Sequence, residues 1–180
     1  MTVICISGHA RSGKDTFAKY LRRLMYENGE TKVLIAHYAD LVKYVCKQFF
    51  GWDGKKDEAG RSLLQKVGTD IVRAKDPTYW IRFIVDMLEL FDGTWNYVII
   101  PDCRFPNEIE YLRGLGYNVI HIRIERDDFD NELTDKQKSH PSEIALDGTE
   151  PDFLIRNNGS LLQLIKAAIT FLEENLPYEN

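Results

Sequence analysis

The sequence predicts a single α/β domain, a mostly parallel sheet with helices on both faces. Three observations carry this. Short apolar, β-branched runs alternate with helical patterns along the whole chain. The strand-like runs are continuously apolar, as in strands buried on both faces. A Gly-x-x-x-x-Gly-Lys run stands between the first such strand and the first helix. The length of 180 residues suits one domain spanning 1–180, with no linker long enough to divide it. Apolar residues at 44% can build a core without disulfides or a structural metal.

Residues 2–7, TVICIS, read as the first strand, closed by Gly8. Residues 14–28 place Phe17, Ala18, Leu21, Leu24 and Met25 on one helix face, and Asn28-Gly29 stops that helix. Residues 32–37 read as strand and 39–50 as helix, ended around Gly51 and Gly54. Residues 55–91 read as helical with interruptions, one piece over 58–75 and another over 79–91 after Asp76-Pro77. Residues 97–100 form a third buried strand, Asn107 to Leu115 a short helix, and 117–124 a fourth strand. The stretch 125–143 is polar and carries no apolar period. Residues 153–156 are a fifth strand. The last helix, 160–175, places Leu161, Leu162, Leu164, Ile165, Ala168, Ile169 and Leu172 on its apolar side.

Charge and cysteines narrow the class. A net charge of −5 disfavours wrapping nucleic acid. No run has the length of a transmembrane helix, and the first residues lack the basic region of a signal peptide. Cys5, Cys46 and Cys103 are an odd count without Cys-x-x-Cys spacing, so they read as buried thiols in a reducing compartment. The expectation is a soluble cytoplasmic enzyme that binds neither membrane nor nucleic acid.

The chemistry concentrates in Gly8-His9-Ala10-Arg11-Ser12-Gly13-Lys14-Asp15-Thr16. Glycines let such a loop curl its amides inward onto phosphate oxygens. The following helix aims its positive end at the same anion, and Lys14 adds a mobile charge for the β- and γ-phosphates. Asp15 stands where a Ser or Thr usually follows the lysine. Either Asp15 approaches Mg²⁺ through water, or Thr16 takes the hydroxyl role. Asp102, directly after the third strand, is placed for the second acidic site of a phosphate-loop enzyme, with Arg104 two residues on. The competing reading makes Asp102 or Asn107 a turn residue or cap of the helix that follows.

GHARSGKDTFAKYL, YADLVKYVCKQFFGW, GRSLLQKVGTDIVR and PDCRFPNE together resemble the deoxynucleoside monophosphate kinases of phages and bacterial prophages. The likeness spreads over roughly the whole chain, and Gly-Lys-Asp is itself usual there, as it is in animal-type phosphomevalonate kinases. The resemblance implies a three-layer, adenylate-kinase-like fold of the P-loop NTPase kind, with a five-stranded parallel sheet in the order 2-3-1-4-5. It implies Mg²⁺ with ATP as donor and a deoxynucleoside 5′-monophosphate as acceptor. ATP would be held by Gly8, Arg11, Ser12, Gly13, Lys14, Asp15 and Thr16, with adenine against the loop at Asn158. Metal would sit near Asp15, Thr16 and Asp102.

The same resemblance makes about 38–92 the acceptor segment and about 125–143 a short lid. Lys43, Arg61, Gln65, Gly68, Thr69, Arg73 and Trp80, with Asp102, Arg104 and Glu108, would form the acceptor pocket. Arg61 and Gln65, four apart, share a helix face. Trp80 reads equally as core packing, Arg73 as a solvated helix residue and Lys43 as a surface lysine. Transfer between polyanions relies on converging positive charge, for which Lys14, Arg11, Arg104, Arg123 and Arg126 are the catalytic candidates. Arg126 alternatively pairs with Asp127 or Asp128, and Asn158 or Ser160 alternatively caps the last helix. His140 reads as a hydrogen-bonding anchor, and His9, His37 and His121 as structural. The final helix is either pure core or half an interface, so a homodimer stays open. Two other readings remain: a kinase of phosphomevalonate or dephospho-coenzyme A, and a nucleotide-binding switch without small-acceptor transfer.

Overall fold

The computed structural model describes residues 1–127 and 129–176. Its elements run β1 (Thr2–Ser7), α1 (Lys14–Glu27), β2 (Val33–Ile35), α2 (Tyr38–Phe49), α3 (Glu58–Gln65), a π-helical stretch (Lys66–Arg73) and α4 (Tyr79–Leu90). They continue with β3 (Tyr97–Ile100), α5 (Pro106–Gly114), β4 (Asn118–Glu125), α6 (Asp135–Lys138), α7 (Pro141–Ile144), β5 (Phe153–Arg156) and α8 (Leu161–Asn175). The sheet order is β2-β3-β1-β4-β5, and every pairing is parallel. β1 is central, with Val3 beside Val98 of β3 and Val119 of β4. All carboxyl ends therefore lie along one edge, where open α/β sheets place their ligands.

The strands are apolar on both faces because each face has its own helical layer. Val3, Cys5, Val98 and Ile100 pack with residues of α2, α4 and α5. Ile4, Ile6, Ile99, Ile122 and Ile124 pack with residues of α1 and α8. The three cysteines are free and buried. Among the described residues, no helix is long and apolar enough to cross a membrane.

Four details differ from the sequence reading. The helix expected over 58–75 is continuous but widens into π geometry from Lys66 to Arg73. There the Trp80 indole donates to the Gly68 carbonyl at 2.8 Å. The polar stretch holds α6 and α7, four residues each, too short to show a helical period. They are set by caps: Thr134 Oγ1 accepts from the Gln137 amide at 3.3 Å, and His140 Nδ1 accepts from the Ser142 amide at 3.2 Å. On α8, Leu161 and Leu162 are exposed, while Leu164, Ala168, Phe171 and Leu172 are buried. Phe171 supplies the anchor the pattern missed, meeting Phe17 and Phe153 edge-on.

Candidate active site

The loop after β1 turns back over the sheet edge. Gly8 and Gly13 have φ of 133° and 105°, and Arg11 joins them in the left-handed region at 62°. A Cβ on Gly8 would lie 2.2 Å from the Ile124 carbonyl oxygen, and one on Gly13 would lie 2.5 Å from Asn157 Nδ2. Only glycine fits either place. Asn157 Nδ2 donates to the Ser12 carbonyl at 2.9 Å, so the loop after β5 braces the phosphate loop. The first amides of α1 have no partner within the helix and face the same hollow.

Lys14 curls over this loop and donates to the Gly8 and His9 carbonyls at 2.7 and 2.6 Å. Burial, then the Arg104 guanidinium, lowers its pKa to about 7. A polyanion in the loop would reverse that penalty and hold the lysine charged.

Two cavities meet at this lysine. One, of about 480 Å³, is lined by all ten expected acceptor residues: Lys43, Arg61, Gln65, Gly68, Thr69, Arg73, Trp80, Asp102, Arg104 and Glu108. The other, of about 350 Å³, is lined by Gly13, Thr16, Arg126, Asn157, Gly159 and Leu161 among others. Arg11, Lys14 and Asp15 line both. A phosphoryl group passing between the cavities would cross at these three residues.

In the larger cavity, Arg61 and Gln65 of α3 face inward from the same stripe. Lys56, which the sequence reading passed over, lines this cavity too. Its pKa is lowered by burial and by Lys43, with Arg61 adding to the effect. Three cations thus face one hollow, an arrangement suited to an anion.

Other residues are already committed elsewhere. Arg73 Nη1 meets Glu108 at 2.9 Å and Nη2 donates to Asn107 Oδ1 at 2.6 Å. Its guanidinium lies 3.9 Å from the Phe105 ring centre. Burial pushes Glu108 up to about 7 against the pull of Arg73. Glu108 Oε2 also accepts from the amides of Arg104 and Phe105, at 2.6 and 3.1 Å. Arg73 is therefore not a solvated helix residue, and Glu108 braces the cavity wall. Trp80, 3% exposed, combines core packing with a place in that wall.

Asp102 lies in the turn after β3 and lines the larger cavity, as read from the sequence, but the helix it caps is a different one. Its Oδ1 and Oδ2 accept from the amides of Tyr38 and Ala39, at 3.1 and 2.9 Å. It caps α2, not the following helix, and both carboxylate oxygens are engaged. Burial raises its pKa against these amide bonds. Each oxygen spends one lone pair on an amide, which leaves fewer for a metal. Asp15 and Thr16 line the smaller cavity. Among the described residues, no group of three or more His, Cys, Asp and Glu side chains is placed to hold a metal by itself.

Arg123 does not reach the cavities. It donates to the Leu146 carbonyl at 2.8 Å, and its ion pairs to Asp147 and Glu125 measure 2.5 and 3.2 Å. It clamps the turn after α7 to β4. Asn158 turns away as well, exchanging hydrogen bonds with Asp127, while its neighbours Asn157 and Gly159 line the smaller cavity. Arg126 stacks 3.9 Å from the Phe129 ring centre and lines the smaller cavity; Asp128, its alternative partner, lies outside the described residues. Arg11 pairs with Glu132 of the polar stretch 125–143.

Sequence reasoning also missed Glu143. Its Oε2 accepts from the Ala10 amide at 3.0 Å and meets Arg104 Nη1 at 3.0 Å. His140, one turn earlier, reaches Asp70 at 3.1 Å and anchors the same segment to the π-helical stretch. His37, expected to be structural, bridges Asp15 and Asp40 on the cavity rim. His121 is buried beside Ser7, and burial lowers it to about 4.

A family model described as deoxynucleotide monophosphate kinase matches residues 43–168. The chain is 36% identical over 109 residues to the deoxynucleotide monophosphate kinase of Enterobacteria phage T4, a match covering 58% of the chain and 41% of that protein. It thus spans about two fifths of that relative's length. It is 30% identical over 175 residues to an uncharacterized protein of Ictalurid herpesvirus 1, covering 95% and 70% of the two chains. Among solved structures, the Mycobacterium tuberculosis APS kinase aligns with a TM-score of 0.53 at 14% identity, covering 96% and 97% of the two chains. That likeness supports the P-loop kinase fold alone.

Proposed function

The chain belongs to the deoxynucleotide monophosphate kinase family, and on that premise we infer that it transfers the γ-phosphoryl of Mg-ATP to the 5′-phosphate of a deoxynucleoside monophosphate. The products are the deoxynucleoside diphosphate and ADP. The observation that carries this reading is the pair of cavities joined at Arg11, Lys14 and Asp15. Two anionic substrates can then meet end to end at one lysine, in line with direct transfer.

In this reading the donor lies between the phosphate loop and the loop at 157–161, with adenine against Leu161 and Gly159. The amides of α1 and Lys14 hold its phosphates, and Lys14 becomes fully charged as they enter. Thr16 and Asp15 would stand beside a Mg²⁺ arriving with ATP, which would neutralise phosphate charge there. Lys43, Lys56 and Arg61 receive the acceptor phosphate, while Gln65, Thr69 and Trp80 shape the pocket for its base. Arg11 and Arg104 balance the charge on the moving group, and Arg126 closes the donor side against water. The acceptor oxygen is already ionised, so no general base is required. A reducing, ATP-rich compartment suits three buried thiols, so the cytoplasm is the proposed location.

A coupled ADP-release assay tests this. Mg-ATP turnover should be slow alone and rise steeply with one or more of dGMP, dTMP, dCMP, dAMP or hydroxymethyl-dCMP. Transfer to phosphomevalonate or dephospho-coenzyme A, with no response to nucleotides, would discard the acceptor assignment while keeping the loop chemistry.

A further inference from the structure

We propose that Glu143 is the positioning residue for Arg104, fixing its guanidinium between the phosphate loop and the acceptor cavity. This rests on the kinase reading above. Glu143 lies on α7, at the end of the lid stretch 125–143, and its side chain is 8% exposed. A single oxygen, Oε2, joins three parts of the site. It accepts from the Ala10 amide at 3.0 Å and meets Arg104 Nη1 at 3.0 Å, and that same Nη1 reaches the Gly8 carbonyl at 3.3 Å. The arginine is thereby held to both the loop and the lid by charge-assisted bonds in a shielded place. The carboxylate is itself held from the far side, because His140 on the same short segment is bonded to Asp70. Asp70 belongs to the π-helical stretch that carries Gly68, Thr69 and Arg73.

A carboxylate here has a definite cost. It places negative charge beside the groups that meet phosphate, so it opposes anion binding in the ground state. What it supplies is orientation, which counts when charge moves between donor and acceptor. Glu143 acts through Arg104 and needs no contact with substrate. Loss of its charge should therefore divide binding from transfer. ATP binding stays the same or tightens, while the transfer step slows. A residue that only supported the fold would weaken both together.

The experiment compares wild type, Glu143→Ala, Glu143→Gln, Arg104→Ala and the Glu143→Ala/Arg104→Ala double variant. Calorimetry gives the Kd for Mg-ATP, and the coupled assay gives kcat with the preferred deoxynucleoside monophosphate. Glu143→Ala should lower kcat at least tenfold, with the Kd for ATP unchanged within twofold or lower. Glu143→Gln, which keeps an oxygen for the Ala10 amide but loses the charge, should fall between wild type and Glu143→Ala. In the Arg104→Ala background, Glu143→Ala should cost no further activity. Additive losses, or a parallel rise in Kd and fall in kcat, would overturn the proposal. Should Glu143→Ala fail to fold, Glu143→Gln carries the same comparison, alone and with Arg104→Ala. Wild type that binds ATP yet phosphorylates no deoxynucleoside monophosphate would refute the proposed function instead. The same cycle is then read on the slow hydrolysis of ATP, where additivity again counts against Glu143.

Discussion

The imidazole of His37 lies 3.2 Å from the carboxylate of Asp15. The residue after the phosphate-loop lysine is thus tied to the residue that precedes α2. The other ring nitrogen lies 3.5 Å from Asp40, which in turn holds Lys43 at 2.7 Å. A chain of alternating charge runs from the donor loop along the rim of the acceptor cavity.

This chain predicts a pH dependence. The bond to Asp15 raises the pKa of His37, with Asp102 and Asp40 adding to the shift against burial. The bond to His37 lowers the pKa of Asp15. A histidine raised in the folded state adds stability that is complete below its unfolded value near 6.5 and disappears as pH rises through the folded value. Asp15 works in the other sense: its share is present above the unfolded carboxylate value and is lost as pH falls through the lowered one. The contact is partly exposed, so its worth is under about 1 kcal/mol. His37→Gln should lower the Tm of the ligand-free protein by a degree or two near pH 5.5 and leave it unchanged near pH 8.5. A Tm difference of equal size at both values would show that the ion pair is not the cause.

Asp102 offers a clean separation of structure from catalysis. Removing its two amide contacts by Asp102→Ala should destabilise the protein by about 1–2 kcal/mol, the usual worth of a helix cap. In a chain of this size that is roughly 2–8 °C in Tm. The apparent Mg²⁺ requirement of turnover should not move. An unchanged Tm together with a raised Mg²⁺ requirement would return Asp102 to the metal.

The Arg73–Glu108 pair predicts a larger loss. Both side chains are nearly fully buried, at 8% and 3% exposure. Glu108→Ala leaves a guanidinium without its charge partner and uncaps the start of α5. The expected cost is about 3–5 kcal/mol, read as a lower urea midpoint. Glu108→Gln keeps two amide bonds and should cost clearly less. Equal midpoints for the two variants would mean that the two amide bonds contribute nothing and that the whole loss comes from the missing charge.

Lys14→Ala should lower transfer at least a hundredfold while the protein stays folded, because among the described residues no other ammonium lines both cavities. Loss of a buried cation with a depressed pKa removes a desolvation cost, so stability should hold or rise slightly. Near-normal turnover in this variant would sink the assignment of the phosphate loop.

What could be read from the sequence followed from what is local. The glycines at 8 and 13 must be glycine because both take a positive φ and Gly8 is met closely by backbone, so their spacing carries meaning without knowledge of the fold. Arg61 and Gln65 could be paired because a helix brings every fourth residue onto one face. Partners far along the chain were invisible. The cap made by Asp102 depends on α2 starting beside the end of β3, 64 residues away. Arg123 was assigned to phosphate because nothing nearby showed that Asp147 would take it first. Asn157 and Asn158 are adjacent, and which one reaches Ser12 depends on the phase of β5. The short helices of the lid are held by caps and by Gln137, which donates to the Glu58 carbonyl at 3.0 Å and Ser62 Oγ at 3.1 Å.

Gly68 provides the sharpest test of the acceptor pocket. It lies in the π-helical stretch, its carbonyl accepts the Trp80 indole, and its Cα faces α2. A Cβ there would lie 3.2 Å from Val42 Cγ1, tight enough to require a small shift but not a rebuilt core. The backbone conformation is helical, so alanine brings no strain of its own, and it favours the helix by about 1 kcal/mol. The two effects on stability nearly cancel. What changes is the cavity, because α2 and the π-helical stretch must move apart by a few tenths of an ångström, carrying Thr69 and Trp80 with them. Gly68→Ala should therefore raise the KM for the deoxynucleoside monophosphate several-fold. The KM for ATP should stay within twofold, since the donor cavity shares no wall with Gly68. If both KM values rise together, the two cavities are not separate substrate sites. If neither moves, the acceptor does not reach this wall.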